Sequence, residues 1–415
     1  MSTPYLPRFA DQLIGALFAE LPALLLTGPR GSGKTTTALR KVRTVVRLDR
    51  EAEAMAFRAD PDAALRGLVE PVLLDEWQEV PGVLGAVKRA VDSEPRPARF
   101  ILTGSIRADL QAETWPGTGR LVRLPMYGLT QRELVGNATD PTFLDRLVTD
   151  TSGITAPANP PDLRGYIELA MRGGYPEPAL RLSDDVRRRW LESYVDQLLT
   201  RDAELIDARR DPDRLRRYFE AIALNTAGVV DERTLYDAAS IDRKTASAYE
   251  RLLRNLLVLD AVPAWSSDRL KRLVRTPKRY LVDAALVSGI LRVDADAVLR
   301  DGVLLGRVLD TFVASQLRAE LPMSASRPRL HHVRLAQGRH EVDLLAELGG
   351  GKVVAIEIKA DAAPGADSAK HVRWLRDRLG ERFVAGVVFH TGPRLWALDE
   401  NIVAVPIAAL WGDSK

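Results

Sequence analysis

Gly28-Pro29-Arg30-Gly31-Ser32-Gly33-Lys34-Thr35 is a complete G-x-x-x-x-G-K-[ST] loop. An apolar run, Ala23–Thr27, precedes it, and Thr36-Thr37-Ala38-Leu39-Arg40 can open a helix behind it. Glycines let such a backbone curl so that its N–H groups, and the positive end of the helix, face phosphate oxygens. Residues 28–36 (Gly28, Pro29, Arg30, Gly31, Ser32, Gly33, Lys34, Thr35 and Thr36) are therefore expected to cradle a nucleoside triphosphate, ATP. Lys34 would reach the β- and γ-phosphates, and the Thr35 hydroxyl would ligate Mg²⁺. About 40 residues later, Pro71-Val72-Leu73-Leu74 is an apolar run ending in Asp75-Glu76. A buried strand would carry Asp75 to the sheet edge to hold the magnesium shell, leaving Glu76 to activate water.

A second constellation lies near the C-terminus. Along Val353–Lys359, Glu357 and Lys359 fall two apart and so share one side of a strand. A Gly349-Gly350-Gly351 turn joins that strand to His340–Ala346, and hairpin geometry would bring Asp343 beside the pair. Two carboxylates and a lysine in that arrangement suit metal-dependent phosphodiester hydrolysis. Asp343 and Glu357 would hold the metal through oxygen, and Lys359 would orient or deprotonate water. This looks like the PD-(D/E)XK nuclease core, in which Asp310, on an expected helix over 306–321, would stand for the acid of the first helix. That acid is more often glutamate. The alternative is a domain that keeps this fold without cleavage, as a DNA clamp or docking module. His331, His332 and His340 read as scaffold or phosphate contacts.

The elements that must position these groups follow from apolar patterning. Thr44–Asp49, Arg99–Thr103 and Leu121–Leu124 read as further strands alternating with helices, which predicts a doubly wound parallel sheet. Residues 135–160 have loop chemistry. Between Asp185 and Thr200 the helical spacing of the apolar Val186, Trp190, Tyr194 and Leu198 predicts a lid helix. Residues 233–262 read as helix–turn–helix, the second helix exposing Arg243, Lys244, Ser247 and Arg251 toward a groove. Basic residues suited to a DNA backbone follow: Arg269, Lys271, Arg272, Arg275, Lys278 and Arg279, with no acid between 269 and 279.

Composition sets the bounds. At 415 residues, 46% hydrophobic and 28% charged, the chain has room for two to four ordinary globular domains of about 100–200 residues. The net charge of +3 does not by itself imply nucleic acid. With no cysteine, disulfides, thiolate catalysis and cysteine-held zinc are excluded. No apolar run approaches the ~18–20 residues of a membrane span, and the first residues lack a signal-peptide core, so a cytoplasmic location and no membrane partner are expected.

Taken together, these motifs resemble a prokaryotic family of AAA-type ATPases with a C-terminal region catalogued as a domain of unknown function. The carriers are Gly28–Thr35, Leu73–Glu76, Leu102-Thr103-Gly104-Ser105, Gly173-Gly174-Tyr175-Pro176-Glu177, Tyr194 with Arg201-Asp202, Pro277–Asp283, Glu341-Val342-Asp343 and Glu357-Ile358-Lys359. The resemblance implies an α/β fold: an AAA+ P-loop ATPase with a parallel sheet and helical lid, a winged helix-turn-helix segment, and a restriction-endonuclease-like α/β domain. In such ATPases a polar residue at the end of the strand beside the phosphate-loop strand senses the γ-phosphate, which here falls on Ser105 or Thr103. Ring-forming members supply an arginine to a neighbouring subunit, a role that Arg120 fits; Arg201 is either a second sensor or the ion partner of Asp202.

The expected boundaries are 1–134 for the ATPase core, 135–205 for the lid, 206–290 for the winged helix and 291–415 for the nuclease-like domain. The expected activity is ATP-driven DNA processing by a homo-oligomer, with a hexameric ring as one form and branched or junction DNA as the substrate. The competing expectation is a nucleotide-gated regulatory or signalling ATPase whose C-terminal half binds protein or DNA without cleavage.

Overall fold

The apolar run ahead of the phosphate loop forms β1 (Ala23–Thr27), buried along its whole length. The computed structural model describes residues 4–105, 119–202, 211–265, 276–335 and 340–412. They fall into two compact units, residues 1–129 with 253–257, and residues 130–252 with 258–415.

In the first unit, β1 is flanked by β4 (Phe100–Gly104) and β5 (Val122–Pro125), while β3 (Val72–Asp75) and β2 (Thr44–Arg47) extend the sheet beyond β4. The order β2-β3-β4-β1-β5 is parallel throughout. A parallel sheet is covered on both faces, which is why its strands read as unbroken apolar runs. Alternate residues feed the two cores. Ala23, Leu25, Leu74 and Leu102 pack on one side with Val83, Val87 and Val91 of the helix Val83–Ser93. Leu24, Leu26, Leu73 and Ile101 pack on the other with Ala10, Ile14 and Phe18 of α1 (Phe9–Phe18). Each large side chain so buried contributes about 1.5–3 kcal/mol. The phosphate loop then leads into α2 (Lys34–Ala38), and Val83–Ser93 is α3.

The second unit begins with helices that include α4 (Leu163–Arg172) and α5 (Asp184–Gln197), within the stretch expected as a lid. The buried stripe of α5 is Leu191 and Val195, continued by Leu198 and Leu199, whereas Val186 is exposed. Of the four expected residues only Leu198 is fully buried, and the stripe otherwise runs one position later, through Leu191 and Val195. Trp190 and Tyr194 stack on each other 5.2 Å apart and meet Tyr175 instead.

Next come α6 (Pro212–Leu224), α7 (Glu232–Ala238), α8 (Arg243–Asn255) and an antiparallel hairpin of β6 (Leu259–Val262) with β7 (Lys278–Leu281). Two small residues permit close approaches here. A side chain on Gly289 of α9 (Leu286–Leu291) would strike the Leu191 carbonyl of α5 at 2.5 Å. Gly173 has φ +68°, and a Cβ there would meet Ala285 and Asp283 at 2.5 and 2.6 Å. The adjacent Gly174 N–H donates to Asp283 at 2.8 Å, so two segments far apart in sequence form one buried joint.

α10 (Gly302–Glu320) leads into a six-stranded mixed sheet of order β12-β13-β11-β10-β9-β8. Its strands are β8 (Arg329–Arg334), β9 (Glu341–Glu347), β10 (Val353–Ile358), β11 (Phe383–His390), β12 (Trp396–Asp399) and β13 (Ile402–Pro406). β9 runs antiparallel to both of its neighbours, β8 and β10, while β10, β11 and β13 run parallel. α11 (Lys370–Leu379) packs Val372, Leu375 and Leu379 on Val353 and Ala355, and α10 packs against β7 and β10.

Candidate nucleotide site and carboxylate–lysine cluster

The phosphate loop leaves the carboxyl end of β1 through left-handed turns at Gly31 (φ +76°) and Gly33 (φ +93°), where a side chain would be strained. Gly28 is fixed by crowding, since a Cβ would lie 1.9 Å from the Met126 carbonyl. Arg8 braces the loop by donating to the carbonyls of Ser32 and Tyr127 at 2.9 and 2.8 Å. Lys34 is buried, and its ammonium donates to the Gly28 and Pro29 carbonyls at 3.0 and 2.8 Å. Burial pulls its pKa down to about 8, partly opposed by Glu76 and Asp75. Arg30 and Thr36 are exposed on the loop, while Ser32 is buried beneath it.

The Thr35 hydroxyl donates to Asp75 Oδ1 at 2.8 Å, and the Thr103 hydroxyl of β4 donates to the same oxygen. Three oxygen-bearing side chains thus converge at the edge of the sheet, a donor set that fits a hard divalent ion sharing its shell with water and phosphate. Glu76 follows in a left-handed conformation, φ +53° and ψ +50°, which ends the strand. Its carboxylate accepts from the Gln78 side-chain amide and from the Ser105 hydroxyl at 3.4 Å. Ser105 and Thr103 therefore attend different acids.

Gln78 was not among the expected site residues; its only signal in the sequence is its place two residues after the acid pair. Gly104 makes room for it, because a Cβ there would meet Trp77 Nε1 at 2.7 Å and Gln78 Oε1 at 2.8 Å. Arg120 is held by Asp92 of α3 at 2.6 Å, and Lys88 shares that carboxylate.

The predicted acids of the second unit do come together, with an addition. Lys278 of β7, only 2% exposed, donates to Asp310 Oδ2 of α10 at 2.6 Å and to Asp343 Oδ1 of β9 at 3.1 Å. The Tyr280 hydroxyl donates to Asp310 Oδ1 at 3.0 Å, and the Ile358 N–H to Asp343 Oδ2 at 3.0 Å. Lys359 donates to Glu357 Oε1 at 2.6 Å. Burial opposes the charge on Lys278, but Asp310 and Asp343 outweigh it and hold its pKa well above the usual lysine value. Burial likewise opposes ionised Asp343, yet Lys278 and the Ile358 N–H keep it below the usual range. Burial, with Asp343 nearby, pushes Glu357 up, and burial also raises Asp310.

This corrects the expectation that Lys278 and Arg279 face DNA. Arg279 is also buried, paired with Glu250 at 2.9 Å. Among the described residues, no three His, Asp or Glu side chains are grouped to hold a metal ion. His332 Nε2 lies 3.0 Å from the Thr276 carbonyl, and His340 stacks on Trp374 at 4.3 Å.

On α8, Arg243, Lys244, Ser247 and Arg251 are all exposed. Arg243 also meets Glu232 at 3.5 Å. Lys271, Arg272 and Arg275, with Arg269, lie outside the described residues. Among the described residues no helix is long and apolar enough to cross a membrane.

With this geometry in view, residues 20–135 match the model of an AAA domain. Residues 163–297 and 305–410 match two domains of unknown function, DUF8612 and DUF4143. The uncharacterized proteins Rv2008c of Mycobacterium tuberculosis and Mb2031c of Mycobacterium bovis are each 29% identical over 392 residues, covering 93% of this chain and 80% of theirs. Among solved structures, the Walker-type ATPase PABY2304 of Pyrococcus abyssi aligns over 70% of this chain and 96% of its own, at 15% identity and TM-score 0.44. The RuvB Holliday junction branch migration motor of Thermotoga maritima aligns over 61% and 88%, at 21% identity and TM-score 0.28.

Proposed function

We propose that the first unit hydrolyses ATP, with Glu76 as the base that activates water and Lys34 as the cation that holds the β- and γ-phosphates. The observation that carries this reading is the convergence of Thr35 and Thr103 on Asp75, with Glu76 one residue further on. Thr35 and Asp75 would hold Mg²⁺, which supplies charge neutralisation to the triphosphate. Lys34 exchanges two loop carbonyls for phosphate oxygens. Ser105 and Gln78 hold the Glu76 carboxylate near the sheet edge, where a proton from water can be taken. Release of phosphate by the purified chain, compared with Glu76→Gln, tests this.

A second reading, that the chain acts on DNA, is favoured by the exposed basic face of α8 beside a two-stranded hairpin. In it, residues 212–281 form a winged-helix-like reader whose Arg243, Lys244 and Arg251 contact phosphates, and Arg120 serves a neighbouring subunit in an oligomer. Duplex binding measured against salt tests the DNA contact. Replacing the three α8 side chains by alanine should shrink the log–log slope by about 2–3, at roughly 0.9 per phosphate contact. A slope near zero in the unaltered protein would remove DNA from the account and leave a regulatory ATPase that binds protein.

A further inference from the structure

The carboxylates of the second unit stand where a divalent ion would be expected, yet their oxygens are already engaged. Both oxygens of Asp310 and both of Asp343 accept hydrogen bonds, from Lys278, Tyr280 and the Ile358 N–H, and Glu357 Oε1 accepts from Lys359. Glu357 Oε2 is buried without a partner. Magnesium usually binds through one or two carboxylates and several waters, and a cluster whose carboxylates already face a buried ammonium leaves little room for either.

We infer that Lys278 is the permanent cation of this cluster, so that the mixed-sheet domain neither binds a catalytic metal there nor cleaves phosphodiesters. Two physical points carry this. An ammonium 2.6 and 3.1 Å from the two aspartates repels any second cation brought between them. The lysine is also not a passing surface side chain: β7 is paired along its length with β6, and Lys278 is 2% exposed. Expelling it would leave a buried ammonium unpaired, which is strongly unfavourable. The cluster instead fastens the hairpin to α10 and β9. The domain then serves by shape and surface rather than by chemistry at this point.

The test is Mn²⁺ binding to the full chain, counted by electron paramagnetic resonance, in the unaltered protein and in Asp343→Asn. Any ion held at the phosphate loop is common to both and cancels. The two proteins should bind the same number of ions. One ion fewer in Asp343→Asn would overturn the inference. So would Mg²⁺-dependent cleavage of plasmid or junction DNA that Asp343→Asn and Lys359→Ala each abolish. Lys278→Met, which keeps the length of the side chain without its charge, should gain a Mn²⁺ ion if it folds. A folded Lys278→Met that binds no more than the unaltered chain would also contradict the inference. The Asp343→Asn comparison stands even if Lys278→Met does not fold.

Discussion

The Thr35 hydroxyl lies 2.8 Å from Asp75 Oδ1, joining the phosphate loop to the acid-bearing strand across 40 residues of sequence. That contact sets side by side the two side chains proposed to hold magnesium. Asp75→Asn keeps the size of the side chain but loses the charge. Hydrolysis should fall by about 10²-fold or more, since misplacing the reacting groups by an ångström costs that much. Steady-state phosphate release measures the effect, and a near-normal rate would remove Asp75 from the site.

Lys34 sets a pH dependence for binding. Its pKa in the free protein is about 8, lowered by burial, whereas a bound triphosphate favours the ammonium. Above pH 8 the protein must take up a proton to bind, so affinity should fall with rising pH, approaching about tenfold per unit. Near pH 7 the lysine is already charged, and its contribution to the profile should level off. Calorimetric titration with ATP in buffers of different ionisation heat would show the uptake at pH 9. Lys34→Met should abolish the pH dependence along with most of the affinity.

Gly104→Ala probes the support of Glu76 from behind. The added methyl would press on Trp77 and Gln78, and Gln78 holds the Glu76 carboxylate. Turnover should drop, by up to about 10²-fold, while nucleotide affinity is preserved. Equal losses in both would mean that the substitution disturbs the loop rather than the base.

Removing Lys278 should be costly in a particular way. Lys278→Met leaves Asp310 and Asp343 buried without their cation, a change worth about 3–5 kcal/mol. Adding Asp310→Asn should recover part of that loss, because one stranded charge disappears. Urea unfolding of the single and double variants closes the cycle. A double variant less stable than the Lys278→Met single would argue against a direct pair.

The phosphate loop, the acid-ended strand and the Glu357-Ile358-Lys359 strand were legible because each is a local pattern whose flanking residues announce its element. What stayed hidden depended on burial. Lys278-Arg279 reads as the end of a basic run, and nothing local says that β7 buries both side chains against acids 29, 32 and 65 residues away, Glu250, Asp310 and Asp343. The buried stripe of α5 stayed hidden because Trp190 and Tyr194, which carry the helical spacing, meet Tyr175 while Leu191 and Val195 fill the core. Gln78 carried no motif; its role appears only when the left-handed turn at Glu76 folds the loop back.

The central claim is tested most directly by ATP turnover of the purified chain, alone and with single-stranded, duplex and four-way-junction DNA, with Glu76→Gln alongside. The account predicts hydrolysis that falls by about 10²-fold or more in Glu76→Gln, with ATP still bound. Stimulation by DNA would extend the account to the α8 face. A Glu76→Gln protein that hydrolyses ATP at the unaltered rate would contradict it.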